Sequence, residues 1–146
     1  MAKGRQAVRV VLDASVWLKL FIAETDSADA AALIEGEDRH IVPDLLFVEF
    51  ANVLWLKRRQ GTLSDAQTGQ AIDGLLQLFS IFDIAWSVEL MSDALDLANE
   101  LDHPVYDCFY LALARRLDVP LVTADRAFWR AVRRRRPGAK LRLLWT

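Results

Sequence analysis

VRVVLDASVWLKLF, from Val8 to Phe21, divides at Asp13. On its N-terminal side, Val8 to Leu12 is short, apolar and β-branched, broken only by Arg9, which is the make-up of a buried strand. On its C-terminal side, Ser15 stands in the place of an N-cap before a helical segment, Val16 to Phe21. A strand that turns at once into a helix is half of a β-α-β unit.

The rest of the chain continues that alternation. Asp26 to Glu37 reads as a helix through Ala30, Ala31, Leu33 and Ile34, and a short strand at His40 to Val42 stops at Pro43. A long helix runs from Asp44 to about Arg59, with Gly61 just past its end, and Ser64 opens another that carries Ile72, Leu75, Leu76 and Phe79. Ile81 to Ile84 is a strand, and Val88 to Leu101 is a helix with Val88, Met91, Leu95 and Ala98 at helical spacing. A further helix begins after Pro104 and includes Tyr110 to Arg116. The strand Pro120 to Thr123, a basic helix from Ala127 to Arg136 broken by Pro137 and Gly138, and a last strand at Leu141 to Leu144 complete the series. Alternation of this kind predicts an α/β fold with a parallel sheet and helices on both faces.

Composition narrows the function. The 146 residues are the size of one domain, 53% hydrophobic and 26% charged, and 18 basic against 20 acidic residues leave a net charge of -2. The chain is therefore no polybasic coat for nucleic acid, and contact with a polyanion requires a local patch. A single cysteine, Cys108, cannot form an internal disulfide, which fits a reducing compartment. Lys3 and Arg5 precede an apolar run that Asp13 stops too early for a signal peptide. Charges such as Lys19, Glu49 and Asp107 interrupt every candidate for a membrane helix.

Four acids stand beside elements that should be buried. In open α/β sheets ligands bind beyond the carboxyl ends of the strands, and Asp13 and Asp125 each follow an apolar strand. Asp in that position is also ordinary turn chemistry. Leu46, Glu49, Val53 and Leu56 recur at helical spacing, which puts Glu49 on an inward stripe where a carboxylate needs compensation. The nearest bases, Lys57, Arg58 and Arg59, cluster at the helix end, so a metal is the favoured partner. Asp107 opens a very apolar helix, where the macrodipole alone can account for an acid. Together the four describe an oxygen-donor site for a hard cation, Mg²⁺ or Mn²⁺. His40 and His103 form neither a metal pair nor a triad with a serine, and Cys108 has no evident base.

Four segments, VLDASVWLKL (Val11 to Leu20), LLFVEFANVLW (Leu45 to Trp55), PVYDCFYLALA (Pro104 to Ala114) and LVTADRAF (Leu121 to Phe128), follow one another in the order and spacing of a PIN domain. The chain most resembles a VapC-type toxin ribonuclease of a type II toxin-antitoxin module, from about Val8 to Leu144. The resemblance implies a three-layer fold with a central, mostly parallel sheet of about five strands, in a single PIN domain spanning 1–146. It also implies metal-dependent endoribonuclease activity, with Asp13, Glu49, Asp107 and Asp125 around Mg²⁺ or Mn²⁺. Asp13 and Asp107 would be principal ligands, Asp125 a ligand direct or through water, and Glu49 a water-mediated ligand or general base. Ser15 and Thr123 match the family's small hydroxyl positions near the metal, although N-capping explains Ser15 as well. A small antitoxin, a homodimer and a cytoplasmic location complete what the family implies.

Between Arg126 and Arg142 lie eight basic residues: Arg126, Arg130, Arg133 to Arg136, Lys140 and Arg142. Arg126, Arg130, Arg133 and Arg134 are candidate RNA contacts, with Trp129 available to stack on a base. A solvated helix face or an antitoxin surface is the other reading of the same charges. Three functional alternatives are weighed against this reading. A non-catalytic PIN-fold module would bind RNA or protein and use its acids structurally. A haloacid dehalogenase-like phosphatase needs a second Asp where Ser15 stands, and a receiver domain needs a late-strand Lys that is missing.

Overall fold

The computed structural model describes residues 10–22, 27–35 and 39–144. Lys3, Arg5, Val8, Arg9, Asp26 and Glu37 of the predicted elements lie outside the described residues. The first strand, β1 (Val11–Leu12), is followed by α1 (Ala14–Phe21), α2 (Ser27–Glu35), β2 (His40–Pro43) and α3 (Leu45–Arg59). Next come α4 (Asp65–Gln77), a 3-10 turn at Phe79–Ile81, β3 (Phe82–Ala85), α5 (Ser87–Leu101) and α6 (Val105–Leu117). The chain then forms β4 (Leu121–Thr123), α7 (Arg126–Arg135) and β5 (Leu141–Leu143).

Every strand pairing among the described residues is parallel. β4 lies between β1 and β5, with Leu12 opposite Val122 and Thr123 opposite Leu143. β2 pairs separately with β3, from His40 opposite Phe82 to Pro43 opposite Ala85, and β2 packs beside β1. The five expected strands are thus hydrogen-bonded as three and two. Both groups are short and apolar, as strands covered by helices must be. α1 packs with α2, α3 and α4, while α5 lies along α6 and against α7. Trp17 is fully buried and donates its indole N–H to the Leu12 carbonyl at 3.1 Å, and its ring meets the edges of His40 and Phe82.

Local chemistry sets the helix ends. Gly61 takes φ +75° just beyond α3, the left-handed conformation in which a glycine has no steric cost. Ser64 and Gln67 form a capping box on α4, the Ser64 hydroxyl accepting from the Gln67 N–H at 3.1 Å while the Gln67 carbonyl oxygen accepts from Ser64 N–H at 2.8 Å. At α1 the cap differs from expectation: Asp13, not Ser15, is the N-cap, because its carboxylate reaches the free N–H groups of the first turn.

Two expected apolar stripes also shift. On α3 the buried residues are Leu46, Phe50 and Leu54, while Leu56 is 42% exposed, so the inward line follows a spacing of four and Glu49 lies at its edge. On α5 the core takes Leu90, Ala94, Leu97 and Leu101, and Val88, Met91 and Leu95 point outward. Both sets have helical spacing, so periodicity alone does not choose between them. Of the residues expected on α4, Leu75 is buried and Ile72 and Leu76 are exposed, as is Phe79 in the turn beyond it. No helix among the described residues is long and apolar enough to cross a membrane.

Candidate metal centre

The parallel register brings the ends of β1 and β4 side by side. Asp13 extends the ladder, its N–H donating to the Val122 carbonyl at 3.2 Å, and its side chain then turns back to cap α1. Oδ1 accepts from Ser15 N–H at 3.1 Å, from Val16 N–H at 3.4 Å and from the Ser15 hydroxyl. Oδ2 is buried with no hydrogen-bond partner. Burial drives this carboxyl from its ordinary 3.8 to about 7; the Ser15 hydrogen bond and the nearby Thr123 hydroxyl pull it back, and the charge of Asp107 adds to the rise.

Ser15 and Thr123 lace the two strand ends together. The Ser15 hydroxyl accepts from Ala124 N–H at 2.9 Å and lies 3.5 Å from the Thr123 hydroxyl, which accepts from Asp125 N–H at 3.0 Å. Asp125 then caps α7, its Oδ1 accepting from Ala127 N–H at 2.9 Å and Phe128 N–H at 3.1 Å. The two strand-end acids are therefore fixed against one another by hydroxyls rather than held by a flexible loop.

Asp107, in the first turn of α6, is the common neighbour. Its charge raises the proton affinity of Asp13 and of Glu49, and its own is raised by burial, lowered by His103 and raised again by Asp125. Oδ2 of Asp107 lies 2.7 Å from Nε2 of His103. Donor atoms of His103, Asp107 and Asp125 all lie within 4.8 Å of one another.

Glu49 completes the set from α3. Its Oε1 is buried and unpartnered, and burial raises the carboxyl from 4.5 to about 7, with Tyr110 lowering it and Asp107 raising it. Among the described residues no base compensates it. Tyr110, one turn after Asp107, is buried with its hydroxyl unpartnered, and its proton is held well above the usual phenol range by burial and by the charge of Glu49.

The sequence reading missed His103 and Tyr110. A signal existed for both: Tyr110 follows Asp107 by three residues on the same face of α6, and His103 precedes it by four, in the turn that leads into that helix. Cys108 is buried and its thiol is pushed up to about 12, first by burial, so it is no nucleophile.

The basic helix also divides. Arg126, Arg130 and Arg134 are exposed at four-residue intervals on the side of α7 opposite Phe128 and Val132. Arg133, also expected as an RNA contact, donates its guanidinium to the carbonyls of Pro137 at 2.9 Å and Leu141 at 2.8 Å, and covers the half-buried ring of Trp129 at 5.6 Å. Arg136 pairs with Glu100 at 2.6 Å. A cavity of about 450 Å³ lies where β4 and β5 begin, lined in part by Arg115, Asp118, Arg136 and Lys140, and includes none of the four acids.

What the site offers is a set of half-used carboxylates. Asp13, Asp107 and Asp125 each commit one oxygen to the protein, and Asp13 Oδ2 and Glu49 Oε1 are buried without a hydrogen bond. Buried carboxylate oxygens left this way are costly unless a cation or a proton joins them. The donor set, mostly oxygen, suits a hard divalent ion.

The PIN domain family matches residues 10–134 of the chain. Ribonuclease VapC3 of Pyrobaculum aerophilum is 32% identical over 120 residues, covering 82% of this chain and 91% of the relative. The crystal structure of PAE2754 from Pyrobaculum aerophilum superposes with a TM-score of 0.65 at 25% identity, covering 89% of this chain and 83% of that one. That of Mycobacterium tuberculosis VapC20, described as a Sarcin-Ricin loop cleaving toxin, gives 0.61 at 15% identity over 84% and 94% of the two chains, a likeness of fold.

Proposed function

The chain belongs to the PIN domain family, and from that premise we propose that it is a metal-dependent endoribonuclease, the toxin of a toxin-antitoxin pair. In this reading residues 1–146 form one PIN domain that works in the cytoplasm with Mg²⁺ or Mn²⁺. The observation that carries it is the pair of orphaned buried oxygens, Asp13 Oδ2 and Glu49 Oε1, on carboxyls that face Asp107 and have no basic partner among the described residues. The ribonuclease name of the relative from Pyrobaculum aerophilum supplies the substrate class.

Asp13, Asp107 and Asp125 would hold the cation through their uncommitted oxygens, with Glu49 reaching it through water. The bound ion would supply charge neutralisation at the phosphate and a more acidic water. Asp13 is aimed by its own cap and by Ser15, so its free oxygen is presented without rearrangement. Glu49, with a proton affinity raised to about 7, is matched to accept a proton from water at its carboxylate near neutral pH. Arg126, Arg130 and Arg134 start beside Asp125 and lead away from it, a row suited to successive phosphates of an RNA strand.

A small antitoxin and a second copy of the chain are the proposed protein partners. Exposed Trp86, Val88, Met91 and Leu95 offer apolar surface to them.

Cleavage of a mixed RNA panel tests the reading. EDTA should abolish it, Mg²⁺ or Mn²⁺ should restore it, and Asp107→Asn should lower the rate on the order of 10²-fold or more. Cleavage that persists in EDTA, or at full rate in a folded Asp107→Asn protein free of contaminating nuclease, would refute it in favour of a non-catalytic module.

A further inference from the structure

We infer that His103 is a positioning residue of the acidic centre: it turns Asp107 through a hydrogen bond to Oδ2 and keys it to the element that carries Asp125. The inference rests on the metal-site reading above. It concerns a residue whose chemistry that reading does not use.

The backbone first fixes where the ring stands. α5 ends at Asp102 in the left-handed conformation, φ 50°, and the His103 N–H donates back to the Ala98 carbonyl at 3.2 Å. The imidazole is thus delivered by a helix stop on one side and the start of α6 on the other. Its side chain is only 13% exposed.

The ring then makes two contacts of different kinds. Nε2 lies 2.7 Å from Oδ2 of Asp107. A carboxylate that holds a cation is ionised and only accepts, so in that state Nε2 carries the hydrogen. The ring face lies against Phe128, with centroids 5.0 Å apart and planes tilted by 37°. Phe128 is the residue whose N–H donates to Oδ1 of Asp125. One imidazole therefore touches the acid of α6 by its edge and the first turn of α7 by its face.

The consequence is orientation. A free aspartate rotates about two side-chain bonds and presents either oxygen, whereas Asp107 with Oδ2 occupied presents Oδ1. Partners that fix a ligating carboxylate in this way commonly change metal affinity by about 10- to 100-fold. With its hydrogen directed at Oδ2, Nε2 has no lone pair left for a cation, so through this nitrogen the ring supports a ligand and does not serve as one. A contact needed only for packing against Phe128 would be served as well by a leucine.

Mn²⁺ titration calorimetry on the full chain, with melting curves in EDTA, separates these roles. His103→Leu fills the space against Phe128 without a donor, and His103→Gln returns an N–H at similar reach. The expected result is Mn²⁺ binding weakened about 10- to 100-fold in His103→Leu and largely recovered in His103→Gln, with both variants folded in EDTA. Equal binding by wild type and His103→Leu overturns the inference alone, as does a His103→Gln protein no better than His103→Leu. A lowered melting point with Mn²⁺ affinity intact overturns it too and leaves a packing role. Wild type that takes up no Mn²⁺ overturns the metal-site reading and this inference together.

Discussion

Asp13 caps a helix and is also a buried acid, and the two duties respond differently to mutation. The cap needs an oxygen acceptor, which asparagine supplies about as well as aspartate. The charge is what burial opposes, raising the carboxyl from 3.8 to about 7. A group whose folded proton affinity is raised stabilises the fold fully below its unfolded value and loses that contribution as pH climbs through the folded one. Without metal, wild-type stability should therefore fall between about pH 4 and pH 8. Asp13→Asn should be the more stable protein at pH 8 in EDTA, by on the order of 3 kcal/mol, with a flatter pH profile. Glu49, raised to about 7 chiefly by burial, titrates in the same sense and keeps some slope in the mutant. Denaturant melts across that range decide the matter; a mutant less stable than wild type at pH 8 makes Asp13 a structural turn residue.

α7 shows how one helix separates neighbouring arginines by role. Its exposed side carries Arg126, Arg130 and Arg134, and Arg133, one position away, is spent on the carbonyls of the turn before β5. Replacing Arg126, Arg130 and Arg134 by Gln should make the slope of log RNA affinity against log salt shallower by about 2, given roughly 0.7 counterions released per phosphate contact on single strands. Arg133→Gln should leave that slope unchanged and lower stability by about 1–3 kcal/mol instead, because it abandons two carbonyls at the turn. Filter binding over a range of salt concentrations measures the first and thermal melting the second. An unaltered slope in the triple variant assigns the exposed row to a protein partner or to solvent.

At the scale of the whole molecule, the acids are contributed by four separate places: the end of β1, the middle of α3, the first turn of α6 and the start of α7. An ion held by them bridges segments that are far apart in sequence. Bound only by the native state, it should stabilise by about 2.7 kcal/mol at a concentration 100 times its Kd. For a domain of this size that corresponds to a rise of roughly 5–10 °C in Tm. Asp13→Asn should gain less from the ion although it starts higher in EDTA. Four melting curves at neutral pH, two proteins with and without Mn²⁺, test this. Equal gains in both proteins would remove Asp13 from the set of ligands.

The element order was legible from end to end, because strand composition, helix caps and breakers act within about four residues of chain. Gly61, Ser64 and Pro104 mark their boundaries by backbone chemistry that needs no distant partner. The acids at Asp13 and Asp125 were legible for the same reason, each following a strand. What required tertiary structure was every choice between equivalent faces. α5 is apolar on two sides, and only packing along α6 decides that Leu90, Ala94 and Leu97 go inward while Val88, Met91 and Leu95 do not. Arg133 looks like its neighbours until the Pro137 and Leu141 carbonyls are in place. The spacing of His103 from Asp107 is visible in the sequence, but its contact with Phe128 exists only once α7 packs against its ring. Local sequence sets the conformation of each segment, whereas which side of it meets which other segment depends on contacts across dozens of residues, and those exist only once the chain has folded.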